Sequence, residues 1–282
     1  MASSTPQSQS IILPPSTFTT RTRPELASAA SAAPSTDGAD VTYRILYLKL
    51  HGLAATTRII LAIAGVRWES IYPVDWATKK ERTPLGAMPI LYETHSSTGL
   101  TLEIPESEVI ERYLGRKFGL FGKDAWEETA INVFYCSSNA VMSLYISKVL
   151  LAFPDTKARE LEKFVKNAVP TWIIQHEKWL ESNGTNGFYV GDQSELIKLT
   201  WYPIVFKTIT QLSIADIRSV VCVDRFMTIP ECKDMFSPEK TPGLFKLKAN
   251  LEANPCYTAW ITSPEFEAIN VSTRQRLAVL SG

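Results

Sequence analysis

Apolar residues are sparse before position 41, fall in short β-prone runs from 41 to about 122, and repeat at helical spacing from 125 onward. In the middle stretch, Tyr43-Arg44-Ile45-Leu46-Tyr47-Leu48 is rich in β-formers and predicts a strand, with His51-Gly52-Leu53 as the turn after it. The apolar block Thr57 to Ala64 predicts a helix closed by Gly65. Trp68 to Tyr72 predicts a second strand, and a polar connection with Asp75, Trp76, Lys79 and Lys80 follows. A third strand opens at Pro89, turns through Thr94 to Gly99 and returns over Leu100 to Leu102. Glu106-Ser107 then opens a helix whose Val109, Ile110, Tyr113 and Leu114 share one face, with Ser107 as the expected cap. The order βαβ then ββα describes a three-layer α/β domain over 41–122.

Beyond Asp124 the pattern is helical. Residues 125–150 lack Gly and Pro and predict one long helix. A second runs from about Thr156 toward Glu181, kinked or divided at Pro170. Ser213-Ile214-Ala215-Asp216 has the form of a capping box and should open a buried helix through Val220 and Val223. Leu244 to Glu252 and Pro255 to Thr262 supply two more, so 123–282 reads as all-helical. Residues 1–40, dominated by Ser, Thr, Ala and Pro, bury too little to offset ordering entropy and read as a disordered tail. With Arg21 and Arg23 present and no acid before Glu25, an organelle-targeting segment is the alternative.

Composition narrows the function classes. The 29 basic and 29 acidic residues cancel, so no basic excess draws the chain to nucleic acid or an anionic membrane. No apolar run spans a bilayer. Cys136, Cys222, Cys232 and Cys256 are scattered, and no histidine or cysteine set has metal-ligand spacing, so reduced thiols and no metal are expected. His51, His95 and His176 read as structural or surface residues.

The candidate chemistry gathers around Thr83-Pro84-Leu85-Gly86-Ala87-Met88-Pro89-Ile90-Leu91. A proline at a strand mouth, with a cis Met88-Pro89 bond, leaves the Met88 N–H and C=O for an extended peptide to pair with. The helix start at Ser107 offers an anion site beside it. Each residue also has an ordinary reading: Ser107 as a cap, Glu106 as a solvated carboxylate, Trp76 as hydrophobic cover, Lys80 as a surface charge, Tyr47 as a strand aromatic.

Taken together, these motifs over about 41–270 resemble a cytosolic glutathione transferase of the tyrosine type, and sigma-class members most. The fold implied is a thioredoxin-like N-terminal domain plus an all-α C-terminal domain. Tyr47 stands where that family has its catalytic tyrosine, and Trp76, Lys80 and Gly86 keep the family's linked spacing. The resemblance implies glutathione held by Tyr47, Trp76, Lys80, Met88, Pro89, Glu106 and Ser107, with glutathione as co-substrate and no other cofactor. It further implies conjugation of the thiolate to small electrophiles, a detoxification role, a cytoplasmic location and a homodimer. A glutathione-dependent isomerase, or a non-catalytic glutathione-binding or interaction module of the same fold, are the alternatives. Leu53 departs from the pattern, standing where the family has an arginine that supports the tyrosine. Residues 194–211 also depart: removing this apolar, aromatic stretch rejoins Gly191-Asp192-Gln193 to Leu212-Ser213 and restores the family pattern. It reads either as a retained intron or gene-model error or as a genuine lid or interaction element.

Overall fold

The computed structural model describes residues 16–21, 23–32, 40–191 and 212–281. The 194–211 segment therefore lies outside the described residues. Eleven helices and four strands follow in order among those described: α1 Pro24–Ser31, β1 Val41–Leu46, α2 Ala55–Ile63, β2 Trp68–Ile71, α3 Trp76–Lys79, β3 Ile90–His95, β4 Leu100–Pro105 and α4 Ser107–Lys117, then α5 Ala125–Leu144, α6 Pro154–Lys163, α7 Val169–Ser182, α8 Ile214–Phe226, α9 Pro242–Glu252, α10 Pro255–Ile261 and α11 Pro264–Ser281.

The strands form one mixed sheet in the order β2-β1-β3-β4. β1 runs parallel to β2 and antiparallel to β3, and β3 and β4 form the expected hairpin. Alternation along β1 divides its side chains. Tyr43, Ile45 and, just past the strand, Tyr47 join the main core with α2, α4, α5 and α8, while Leu46 packs with Ile71, Ile90 and Tyr92 in a second cluster. The first strand thus ends at Leu46, one residue before Tyr47, and not at Leu48. Helix α2 is buried at every position, Thr56, Thr57 and Arg58 included, because the sheet and the helical layer cover both its sides.

The long helix continues from α5 through a π-helical stretch, Tyr145–Leu150, so 125–150 is one rod. The expected second helix is divided next to Pro170, into α6 and α7. Pro170 is the second residue of α7, and the widened turn Phe164–Ala168 just before it accommodates the missing N–H. Three helices were not expected, one of them being the single turn α3, which stands in the stretch read as a polar connection. Helix α1 lies within the tail read as disordered; Glu103 accepts hydrogen bonds from Ser16 Oγ, Thr17 N–H and Phe18 N–H, and Ala29 is buried. Helix α11 extends the chain past the last predicted element.

The capping box at Ser213 is present and buried. The Asp216 carboxylate accepts from the Ser213 N–H and Oγ at 2.7 Å each and from the Tyr189 N–H at 3.2 Å. His176, fully buried, bonds Tyr189 Oη through Nδ1 at 2.6 Å and Ser137 Oγ through Nε2 at 3.0 Å. Burial pulls its pKa from 6.5 down to about 3, so the ring is held neutral. The unfolded chain binds its proton first, so the stability from neutral His176 is complete above about pH 6.5 and is lost as the pH falls toward 3. Urea unfolding at pH 7.5 and pH 5 should show the wild type losing about 2 kcal/mol more than His176→Gln over that interval. Equal losses would contradict the neutral, buried assignment.

Candidate functional site

The strand register brings three of the predicted features to one end of the sheet. Leu46 pairs with both Ile71 and Ile90, and Ile90 pairs with Pro105. Tyr47, immediately after Leu46, Pro89, immediately before Ile90, and Glu106-Ser107, immediately after Pro105, therefore leave neighbouring strands at the same edge. The Met88-Pro89 peptide is cis. Among the described residues no hydrogen bond occupies the Met88 backbone groups.

Ser107 is the first residue of α4 and not its cap. Glu106 holds the cap position with φ 71, in the left-handed region, and makes no side-chain cap. A non-glycine residue there is a strained arrangement of a kind that clusters at ligand sites. It turns the chain sharply from β4 into α4, leaving the exposed Glu106 carboxylate beside the first N–H groups of the helix. Trp76 begins α3 and packs, half-buried, on the Leu46, Ile71, Ile90 and Tyr92 cluster, so part of its role is the hydrophobic cover of the ordinary reading. Lys80, one turn on, is exposed, and its carbonyl accepts from Thr83 N–H at 3.1 Å and Thr83 Oγ1 at 2.6 Å.

Tyr47 is 8% exposed, and its hydroxyl oxygen accepts from the Leu53 N–H at 3.1 Å. That bond uses an oxygen lone pair and leaves the O–H proton to donate outward. Burial raises the Tyr47 pKa above 10.0, while the Leu53 N–H and the Arg58 charge pull it back; the phenol is neutral at physiological pH. The side chain at 53 lacks the arginine's charge, but its backbone supplies a donor. Arg58 was missed. Its guanidinium lies 5.9 Å from the Tyr47 ring centroid, and it donates to Leu50 O at 2.6 Å and Leu48 O at 3.3 Å, bracing the loop after Tyr47. The available signal was a lone base inside the apolar block Thr57 to Ala64.

Other expectations fall elsewhere. On the long helix Asn139, Met142 and Tyr145 are buried, the last two in the main core, so none of the three lines an open wall. A cavity of about 690 Å³ between α5 and α6–α7, bounded by Ser137, Leu144, Lys148, Phe164 and Trp172, touches none of the predicted site residues. Among the described residues no group of three or more His, Cys, Asp or Glu is arranged to hold a metal, and no helix is long and apolar enough to cross a membrane. All four cysteines are free thiols.

No family model matches the chain. It is 31% identical over 160 residues to S-crystallin SL11 of Nototodarus sloanii, covering 54% of this chain and 73% of that protein. It is also 31% identical over 165 residues to probable glutathione S-transferase 7 of Caenorhabditis elegans, covering 56% of this chain and 76% of that one. Its fold matches the Fasciola hepatica sigma class GST with a TM-score of 0.62 at 21% identity, over 78% of this chain and 95% of that structure.

Proposed function

The chain belongs to the glutathione S-transferase family and is an enzyme of it, and on that premise we propose that it binds glutathione at the strand-end corner and that Tyr47 stabilises the thiolate. The observation that carries the reading is the register that gathers Tyr47, Met88-Pro89 and Glu106-Ser107 at one edge. The cysteinyl backbone of glutathione pairs with the Met88 N–H and C=O. Its γ-glutamyl carboxylate rests on the α4 N-terminus at Ser107 and its ammonium pairs with Glu106. Lys80 and Trp76 take the glycyl end.

A free thiol titrates near pH 8.5, so at neutral pH little glutathione is reactive. Donation of the Tyr47 proton to sulfur favours the anion. Depressing the thiol pKa by about two units takes roughly 2.7 kcal/mol, within reach of a charge-assisted hydrogen bond and a nearby helix terminus. The thiol proton passes to solvent. The sulfur then attacks an electrophilic carbon, forming a C–S bond while the electrophile's leaving group departs or its double bond takes up the electron pair.

The same reading includes a cytoplasmic homodimer acting on small electrophiles in detoxification, with the chain divided into 41–122 and 123–282. Support for the division is that the described strands end at Pro105 and the elements from Ala125 on are helical. The test is capture of the pure protein on immobilised glutathione followed by conjugation of a generic aryl halide. Capture with conjugation is expected. Capture alone would favour a non-catalytic binding module, and failure of both would contradict the site.

A further inference from the structure

Helix α11 lies against the loop that holds the Tyr47 hydroxyl. The Thr273 Oγ1 accepts the His51 N–H at 3.0 Å, and Asn270 Oδ1 lies 2.8 Å from His51 Nε2. Asn270 Nδ2 reaches Glu267 Oε2 at 3.4 Å, which orients the amide so that its oxygen faces the imidazole and Nε2 carries the proton. The His51 ring also packs on Phe266 with centroids 4.8 Å apart, and Tyr72 Oη donates to Glu265 Oε1 at 2.7 Å. Four residues within the first three turns of α11 thus grip the β1–α2 and β2–α3 connections.

The grip reaches Tyr47 through consecutive residues. Gly52 follows His51 with φ 39, and a Cβ there would meet Tyr47 Oη at 2.5 Å, so any side chain would push the loop and the phenol apart. Leu53 comes next, and its N–H is the donor to Tyr47 Oη. From the inner side Arg58 holds Leu48 O and Leu50 O; the outer side of the loop is fixed at His51 by α11.

We propose that His51, pinned to α11 by Asn270 and Thr273, is a positioning residue for the Tyr47 hydroxyl, so that the C-terminal helix completes the thiolate corner. The inference rests on the reading of Tyr47 as the thiolate's donor. The pinned loop keeps the Leu53 N–H on the phenolic oxygen and thereby aims the O–H outward. A loosened loop lets Leu53 swing away and frees the phenol to rotate.

The test uses the full chain with Asn270→Ala/Thr273→Val, and Thr273→Ser as the conservative control. Two quantities are read: hydrogen exchange of the Leu53 amide without glutathione, and the pKa of the bound glutathione thiol by thiolate absorbance. In the double variant Leu53 exchange should quicken about three- to tenfold and the bound thiol pKa rise by about half a unit, with glutathione affinity little changed. Thr273→Ser, which keeps the acceptor, should match the wild type in both. Unchanged Leu53 exchange overturns the proposal, as does an unchanged thiol pKa in a protein that lowers it. A wild type that leaves the thiol pKa at its free value overturns the transferase reading instead, and Leu53 exchange then judges the clasp by itself.

Discussion

Replacing Tyr47 with phenylalanine should lower kcat/KM for aryl halide conjugation about 30- to 100-fold near pH 6.5 while leaving the KM for glutathione nearly unchanged. The size follows from the roughly two pKa units assigned to the phenol, since each unit of lost thiolate population is tenfold in rate. The ring stays, so its packing beneath Arg58 is kept, and the structural change is a Leu53 N–H left without its 3.1 Å acceptor. The direction of the Tyr47 shift matters. Because burial raises its pKa, the phenol keeps its proton across the range in which the thiol ionises, and so remains a donor and not a competing anion. The deficit should shrink as the pH rises past about 8.5, where glutathione ionises without help. Equal rates in the two proteins at pH 6.5 would remove Tyr47 from the mechanism.

The second large effect concerns the fold. Asp216→Ala should destabilise the protein by about 3 kcal/mol in urea unfolding, from the removal of one buried acceptor that serves three donors. The Ser213 N–H, Ser213 Oγ and Tyr189 N–H all end on its carboxylate, and no solvent reaches the residue to replace it. Burial pushes its pKa up to about 6 against the pull of those donors, a sign of how dry the site is. Asp216→Asn keeps the volume and one acceptor oxygen and should cost about half as much. A loss under 1 kcal/mol for alanine would mean the helix start is held by Ile214, Ile217 and Val220 packing alone.

Where one physical signal dominated, residues were legible from their order. The β3–β4 hairpin, α4 and the box at Ser213 each carry a local pattern, strand alternation, a helical face or a side-chain cap, and each formed at its predicted place within a few residues. The corner was legible as spacing but not as orientation. The distance from Trp76 to Gly86 can be counted along the chain, yet only the packing reveals that the indole leans on Leu46 and Ile90. The support of Tyr47 was the least visible part. Leu53 acts through its backbone, which no side-chain comparison reads, and His51 depends on residues about 220 positions later. Helix α11 itself was missed because its buried positions, Ile269 and Thr273, mix an apolar with a polar residue and give no clean apolar stripe. Helix α1 was missed because its composition is that of a disordered tail; its contact with the folded part comes from Ala29, whose carbonyl accepts from Lys117 Nζ at 3.4 Å.

The central claim, that this corner turns glutathione into a thiolate through Tyr47, is tested most directly by following thiolate absorbance through a pH titration of the glutathione complex, wild type beside Tyr47→Phe. The account predicts a bound thiol titrating about two units below the free value near 8.5 in the wild type and returning toward that value in the variant. A thiol that titrates at its free value in both proteins would contradict it.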